Sequence, residues 1–138
     1  MSYKLGVSIN TTATITAEAA SKIDDVRCKA VKYDENGKLV LAKAGETFIG
    51  IALPNPYDSN INGTVEAGKQ IDVQIKEIGL AKAGAAVAVG AALASDANGK
   101  LVTAKAGDFV IGYALTSASA DEDIIQVQIA KSYYPTTA

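Results

Sequence analysis

Asp34-Glu-Asn-Gly-Lys-Leu-Val-Leu-Ala-Lys-Ala-Gly-Glu-Thr-Phe-Ile-Gly-Ile-Ala-Leu53 recurs without a gap as Asp96-Ala-Asn-Gly-Lys-Leu-Val-Thr-Ala-Lys-Ala-Gly-Asp-Phe-Val-Ile-Gly-Tyr-Ala-Leu115. The offset is 62 residues, and 14 of the 20 aligned positions are identical. Self-similarity at a fixed period means copies of one structural unit packed on each other. Within each copy the chemistry is that of short strands. Asn36-Gly37 and Asn98-Gly99 are hairpin signals, because both residue types tolerate positive φ in a type I′ turn. Ala-Gly pairs at Ala44-Gly45, Ala67-Gly68, Ala83-Gly84 and Ala106-Gly107 predict a meander that turns at regular intervals.

The flanking sequence extends the same reading. In Ile71-Asp-Val-Gln-Ile-Lys-Glu-Ile78, Ile71, Val73 and Ile75 face one way and Asp72, Gln74 and Lys76 the other. Ile125-Gln-Val-Gln-Ile129 alternates in the same manner. Period-2 alternation marks a strand with one buried and one wet face. The Val-Gln-Ile run ties these two segments together at an offset of 54, so the first copy carries an eight-residue insertion between Leu53 and Ile71. After each Ala-Gly corner, Ile49, Ile51 and Leu53, and in the second copy Ile111, Tyr113 and Leu115, are expected to share a core-facing side. Gly50, Ala52, Gly112 and Ala114 leave the other side bare for a close backbone or sheet. One stretch reads as a helical turn: Glu18 to Val26 puts Ala19, Ile23 and Val26 on one side. Shifted by 62, it lands on the poorly helical Ala81–Ala88.

The reading is therefore an all-β fold, a compact β-barrel or β-sandwich built from two repeated hairpin and meander units, with an extended N-terminal segment. The 138 residues form a single domain, with repeats over about 16–78 and 79–131, an N-terminal arm over 1–15 and a tail over 132–138. A chain of this size buries roughly two-thirds of its unfolded surface. Its core must be thin-layered, since Ala and Gly are abundant, Trp is absent, and there are only 2 Phe and 6 Tyr.

Composition excludes much chemistry. There is no His, which removes the commonest general base and zinc ligand together. The lone Cys28 has no partner for an internal disulfide and reads as a small buried residue. No glycine-rich phosphate loop is present. Thirteen basic and fifteen acidic residues are interspersed, with no basic cluster for nucleic acid. The most apolar stretch, Ala83–Ala94, is too short to span a bilayer. The N-terminus lacks the apolar run of a signal peptide, so the expectation is a chain made in a cytoplasm. Asp34-x-Asn36-Gly37 and its copy faintly match part of a calcium loop, but hairpin turns explain them without metal. Asp121-Glu-Asp123 reads as a solvated loop or as the seat of a cation or basic partner. No enzyme, metal or cofactor is expected.

The repeated Asp-x-Asn-Gly-Lys-Leu-Val hairpin, the Ala-Gly-Asp/Glu corner, the Ile-Gly-x-Ala-Leu strand and the central Lys82-Ala-Gly-Ala-Ala-Val-Ala-Val-Gly-Ala-Ala-Leu93 together resemble tailed-phage capsid cement, or head decoration, proteins, some of which are described as head fibre proteins. The resemblance covers about residues 26–131. It implies a virion structural protein that binds the outside of an expanded capsid, bridges major capsid protein subunits and self-associates, as a trimer by resemblance. It implies location on the outer capsid surface, after assembly in the host cytoplasm, and no nucleic-acid or membrane partner. The chain departs from shorter relatives in the Pro54–Asn62 insertion and the polar N-terminal stretch. Candidate capsid or subunit contacts are Tyr3, Leu5, Val7 and Ile9, then Pro54, Pro56 and Tyr57, then Tyr133 and Tyr134. Tyr offers interface area at low entropy cost. Each of these segments reads equally well as a frayed terminus or plain surface loop. Asn36, Gly37, Asn98 and Gly99 are structural turn residues. The alternative reading is a surface-displayed adhesive or carbohydrate-binding module, with Tyr57, Asp58, Asn60 and Asn62 as its sugar-binding cluster.

Overall fold

The structure, a computed structural model, describes residues 12–55 and 62–136. Ten strands form: β1 Thr14–Glu18, β2 Ala30–Tyr33, β3 Leu39–Leu41, β4 Gly50–Ala52, β5 Gln70–Gln74, β6 Ile78–Lys82, β7 Ala92–Ser95, β8 Leu101–Thr103, β9 Phe109–Ala114 and β10 Ile124–Tyr133. They make two five-stranded antiparallel sheets, ordered β1-β5-β4-β2-β3 and β6-β10-β9-β7-β8, which pack as a sandwich. The two orders are the same order. Smaller features repeat as well: the isolated bridges Ala19↔Leu39 and Ile23↔Val65 in the first sheet match Ala83↔Leu101 and Val87↔Ala118 in the second. Between β4 and β5 the first unit holds more chain than the second does between β9 and β10, which is where the insertion was read.

The alternation read in β5 and β10 holds. Ile71, Val73, Ile125 and Val127 are buried, whereas Gln126 and Gln128 are exposed. Two expectations change. Residues 18–26 are not helical, and no helix forms among the described residues. Ala19 N–H donates to Lys69 O, Ile23 and Val65 exchange backbone bonds, and Val26 N–H donates to Gly63 O. Ala19, Ile23 and Val26 are all buried, as read. They reach the core from an extended connector whose backbone is satisfied by a neighbouring segment rather than by its own preceding turn.

The hairpins form where expected but with a different turn. Only Gly37 and Gly99 have positive φ, at 75° and 79°; Asn36 and Asn98 do not. Gly37 N–H donates to Asp34 O, and Asp34 N–H donates to Lys38 O. This is a three-residue loop closed by one left-handed glycine, not the two-residue type I′ turn. The aspartate decides it: Asp34 Oδ1 accepts from the N–H groups of Asn36 and Lys38, and Asp96 Oδ1 does the same for Asn98 and Lys100. Three of the four Ala-Gly corners are tight turns with a positive-φ glycine, at Gly45, Gly68 and Gly107. The fourth is not, because Ala83 bridges Leu101 and Gly84 N–H donates to Leu101 O.

The strand after each corner behaves differently from expectation. Phe48 and Ile51 join one core cluster, whereas Ile49 and Ala52 belong to the other. In a regular strand, residues 48 and 51 would face opposite sides. The switch occurs at Gly50, where a side chain would run into the carbonyl oxygen of Gln74 on adjoining β5. Gly112 stands in the same relation to Gln128 O on β10. The close neighbour is thus the next strand of the same sheet, not a layer above. As a consequence, Tyr113 and Leu115 do not pack a core; they are 43% and 41% exposed.

Each sheet has a core of its own, and one of them is shared. Ala19, Val26, Val31, Leu39, Ile71 and Val73 pack within the first unit. Their counterparts in the second unit, including Leu93, Leu101, Ile125 and Val127, pack together with Ala30, Ala42, Phe48 and Ile51 from the opposite face of the first sheet. This seam joins the units. Across it, Lys82 N–H donates to Cys28 O, Ala30 N–H to Gly99 O, Gly45 N–H to Ser95 O and Phe109 N–H to Gly45 O. An edge-to-face ladder runs Phe48–Phe109–Tyr133, with ring centroids 5.3 and 5.5 Å apart.

An ion pair closes the seam at its edge. Lys82 Nζ lies 2.5 Å from Asp25 Oδ2, and Arg27 Nε lies 2.6 Å from Asp25 Oδ1. Burial pushes the Asp25 carboxyl up, but hydrogen bonds and charge from Arg27 and Lys82 outweigh it and hold it at about 2, below its ordinary 3.8.

Two predictions follow from this packing. Gly50→Ala and Gly112→Ala should each cost about 3 kcal/mol in denaturant unfolding, since backbone must move, whereas Gly37→Ala should cost only about 1–2 kcal/mol for its left-handed φ. Equal costs at all three positions would contradict the close-approach account. Asp25→Asn should lower the melting temperature at pH 7 by a few degrees. A depressed carboxyl contributes stability in full above its unfolded value and loses it as pH falls through the folded one. The gap between wild type and variant should therefore narrow between about pH 4 and pH 2, and thermal melts that keep it constant across that window would refute the pairing.

Candidate docking surfaces

Tyr3, Leu5, Val7, Ile9, Pro56 and Tyr57 lie outside the described residues, and of the sugar-binding cluster only Asn62 lies within them. The remaining candidates separate into distinct roles. Asn36, Gly37, Asn98 and Gly99 sit in the hairpin loops, as read. Pro54 lines a shallow depression of about 400 Å³ at the seam, with Arg27, Cys28, Leu80 and Ile124 among its walls. Tyr133 is 65% exposed, although its hydroxyl lies 2.9 Å from Thr47 Oγ1 and its ring meets Phe109. Lys131 reinforces this clasp by donating to Ile49 O at 2.7 Å. Tyr134 pairs through its backbone, its N–H donating to Asp108 O and its O accepting from Gly107 N–H, while its side chain is 42% exposed.

The acidic cluster has a basic partner in its own chain. Lys100 Nζ lies 2.8 Å from Glu122 Oε1 and 2.9 Å from Asp121 Oδ1, and Lys82 Nζ lies 3.7 Å from Glu122. The hydrogen bonds that Lys100 donates to Glu122 and then to Asp121 push its ammonium up to about 12. Asp123 serves its own turn, accepting from the N–H groups of Ser119 and Ala120. Glu122 has φ 75°, where its counterpart in the first unit is Gly68 at 81°. A charged residue in a left-handed position is uncommon, and here it reaches two lysines.

The residues that sequence reasoning missed lie on the outer face of the second sheet. Ile78, Leu80 and Ile124 are 52%, 40% and 49% exposed. Ile78 stands opposite Gln128, which stands opposite Tyr113, so this face continues across three strands to the Tyr113 side chain. In the first sheet the β1–β5 end of this face is polar. Thr14, Thr16 and Gln70 take the places of Ile78, Leu80 and Ile124, and Thr16 Oγ1 donates to Asp72 Oδ1 at 2.8 Å. The signal was present in the comparison of Thr14 with Ile78 and of Thr16 with Leu80. It was hidden because β1 and β6 are offset by 64 residues rather than 62.

A family model described as phage cement protein matches residues 7–129. Among solved structures, the chain is similar to the N base of the head fibre protein gp8.5 of bacteriophage phi29. The TM-score is 0.63 at 20% identity, covering 87% of this chain and 95% of that one. At that identity the likeness speaks for the fold. No curated protein matches the chain. With the family model spanning nearly the whole length, the chain belongs to the phage cement proteins.

Proposed function

We propose that this chain docks on the outer surface of an expanded phage capsid, bridges neighbouring major capsid protein subunits and so stabilises the shell. The membership just given supports a capsid-associated structural role, in the virion. The observation that supports the finer reading is the exposed apolar trio Ile78, Leu80 and Ile124, at positions where the first repeat has Thr14, Thr16 and Gln70. Two copies of one frame need the same buried residues to fold. Apolar side chains exposed in only one copy serve something outside the fold. The seam covers Ile51 on the first sheet but leaves Thr16 and Gln70 exposed, so the trio is not an imitation of the seam.

The mechanism is mass action. A protein that binds the assembled shell better than its dissociated subunits stabilises the shell by its binding free energy. Many equivalent sites on one particle add up. Self-association, as a trimer by the resemblance, would multiply contacts per docking event. Assembly in the host cytoplasm completes this reading.

Mixing the purified protein with undecorated expanded capsids, pelleting them and counting bound copies tests it. Saturable binding is expected, with a rise in capsid melting temperature. Leu80→Glu and Ile124→Glu should each weaken binding about tenfold or more, since each removes one buried aliphatic contact and adds a charge, while leaving the free protein's own melting temperature within a degree or two. No saturable binding and no gain in capsid stability would end the proposal.

A further inference from the structure

The seam between the two units is not two-fold symmetric. The first unit contributes its outer face and its β3–β4 corner: Ala30, Ile51 and Gly45. The second contributes its hairpin tip and the end of β7: Gly99 O accepts from Ala30 N–H, and Ser95 O accepts from Gly45 N–H. A two-fold relation would also set Gly37 against Ala92. Instead, none of the described residues lies within 4 Å of a side chain built at Gly37, whereas one built at Gly99 would stand 3.1 Å from Ala30 O and 3.2 Å from Leu41 Cδ2. Correspondingly, Ile51 is 1% exposed under the second unit, and its counterpart Tyr113 is 43% exposed. The chain therefore has one plug seated on one receiving surface, and it displays a second plug and a second receiving surface that do not meet within the chain.

We propose that the hairpin Asp34–Lys38 of a second copy docks on the outer face of the second sheet, beside Ala92, Thr103 and Tyr113, and so repeats between chains the seam already present within one. This deepens the self-association named above and stands apart from the docking on a shell. The two plugs match: Asp34–Val40 and Asp96–Val102 differ only at Glu35 and Ala97. Both hold the same loop shape through the same two bonds to their leading aspartate. The receiving residue is alanine in both cases, Ala30 and Ala92. One corner differs. Gly107 N–H, the counterpart of Gly45 N–H, donates to Tyr134 O of the chain's own tail. The tail takes the place that Ser95 has in the internal seam, and the hairpin, Ala92 and Tyr113 contacts remain to the incoming copy. Such a head-to-tail contact closes into a ring or runs on, according to its rotation.

Sedimentation velocity on the full chain, without capsids, tests this over a wide concentration range. The wild type should self-associate, and Tyr113→Glu should weaken association about tenfold or more with an unchanged melting temperature. The geometry is read by cysteines: Asn36→Cys and Thr103→Cys, both on exposed side chains. Mixed and oxidised, the two single variants should form one disulfide-linked species that neither forms alone. Cys28 stays silent because it is buried. A monomer at every concentration, association untouched by Tyr113→Glu, or cross-linking of Asn36→Cys with itself would each overturn the proposal. Leu80→Glu separates the two readings: it should keep self-association while losing capsid binding.

Discussion

The missing side chains at Gly50 and Gly112 are the constraint on which the rest of the architecture depends. At each, the carbonyl oxygen of the neighbouring strand, Gln74 or Gln128, occupies the space where a methyl group would sit. The strand can then change which residues it presents to which side. Without that switch, Phe48 and Ile51 could not both face the seam while Ile49 and Ala52 face the first unit's own core. A single sheet therefore serves two cores, one on each side. This is what a thin chain with few aromatic residues needs, since one five-stranded sheet of Ala, Val and Ile buries little by itself.

The seam then gathers both phenylalanines and a small set of charged side chains. Both phenylalanines and Tyr133 stack along it. Asp25 and Lys82 pair across it, with Lys82 largely covered. The acidic loop at 121–122 extends the same network through Lys100. Exposed pairs of this kind contribute little individually. Here they sit beside backbone bonds such as Lys82 N–H to Cys28 O, so their geometry is held by the sheet and not by the side chains. Of these pairs Asp25–Lys82 spans the two units, and it adds to the backbone bonds that set how the second unit sits on the first.

Much of the frame was legible in the sequence, for definite reasons. The constant offset exposed the two units, and alternation in β5 and β10 exposed which side was wet. Hairpins were legible from Asn-Gly, but their type was not, because Asp34 competes for the backbone N–H groups and leaves only Gly37 left-handed. The one-sidedness of Ala19, Ile23 and Val26 was real, yet it mimicked a helix, since a bridged connector can bury the same positions. Tyr113 was read as core because alternation was carried through Gly112, where it breaks. The exposed trio escaped because the pairs Thr14/Ile78 and Thr16/Leu80 lie off the main offset, and pattern alone does not distinguish an exposed Leu on an edge strand from a buried one.

What separates the two units is also what points to their use. Positions that hold the frame agree in kind: Val31 with Leu93, Leu39 with Leu101, Gly50 with Gly112. Where they disagree, the larger surface residue falls in the second unit at Tyr113 for Ile51, Glu122 for Gly68 and Leu80 for Thr16, and in the first unit at Tyr33 for Ser95 and Glu35 for Ala97. Cys28 for Gly90 is a difference at a buried position. Folding requirements cannot account for a difference between copies that fold alike, because each copy demonstrates that the other's residue is dispensable for the frame. The differences are instead set by what each unit meets. The first unit meets the second, and therefore hides its outer face near Ile51. The second unit meets no third unit among the described residues, and its outer face at Ile78, Leu80, Tyr113 and Ile124 is exposed.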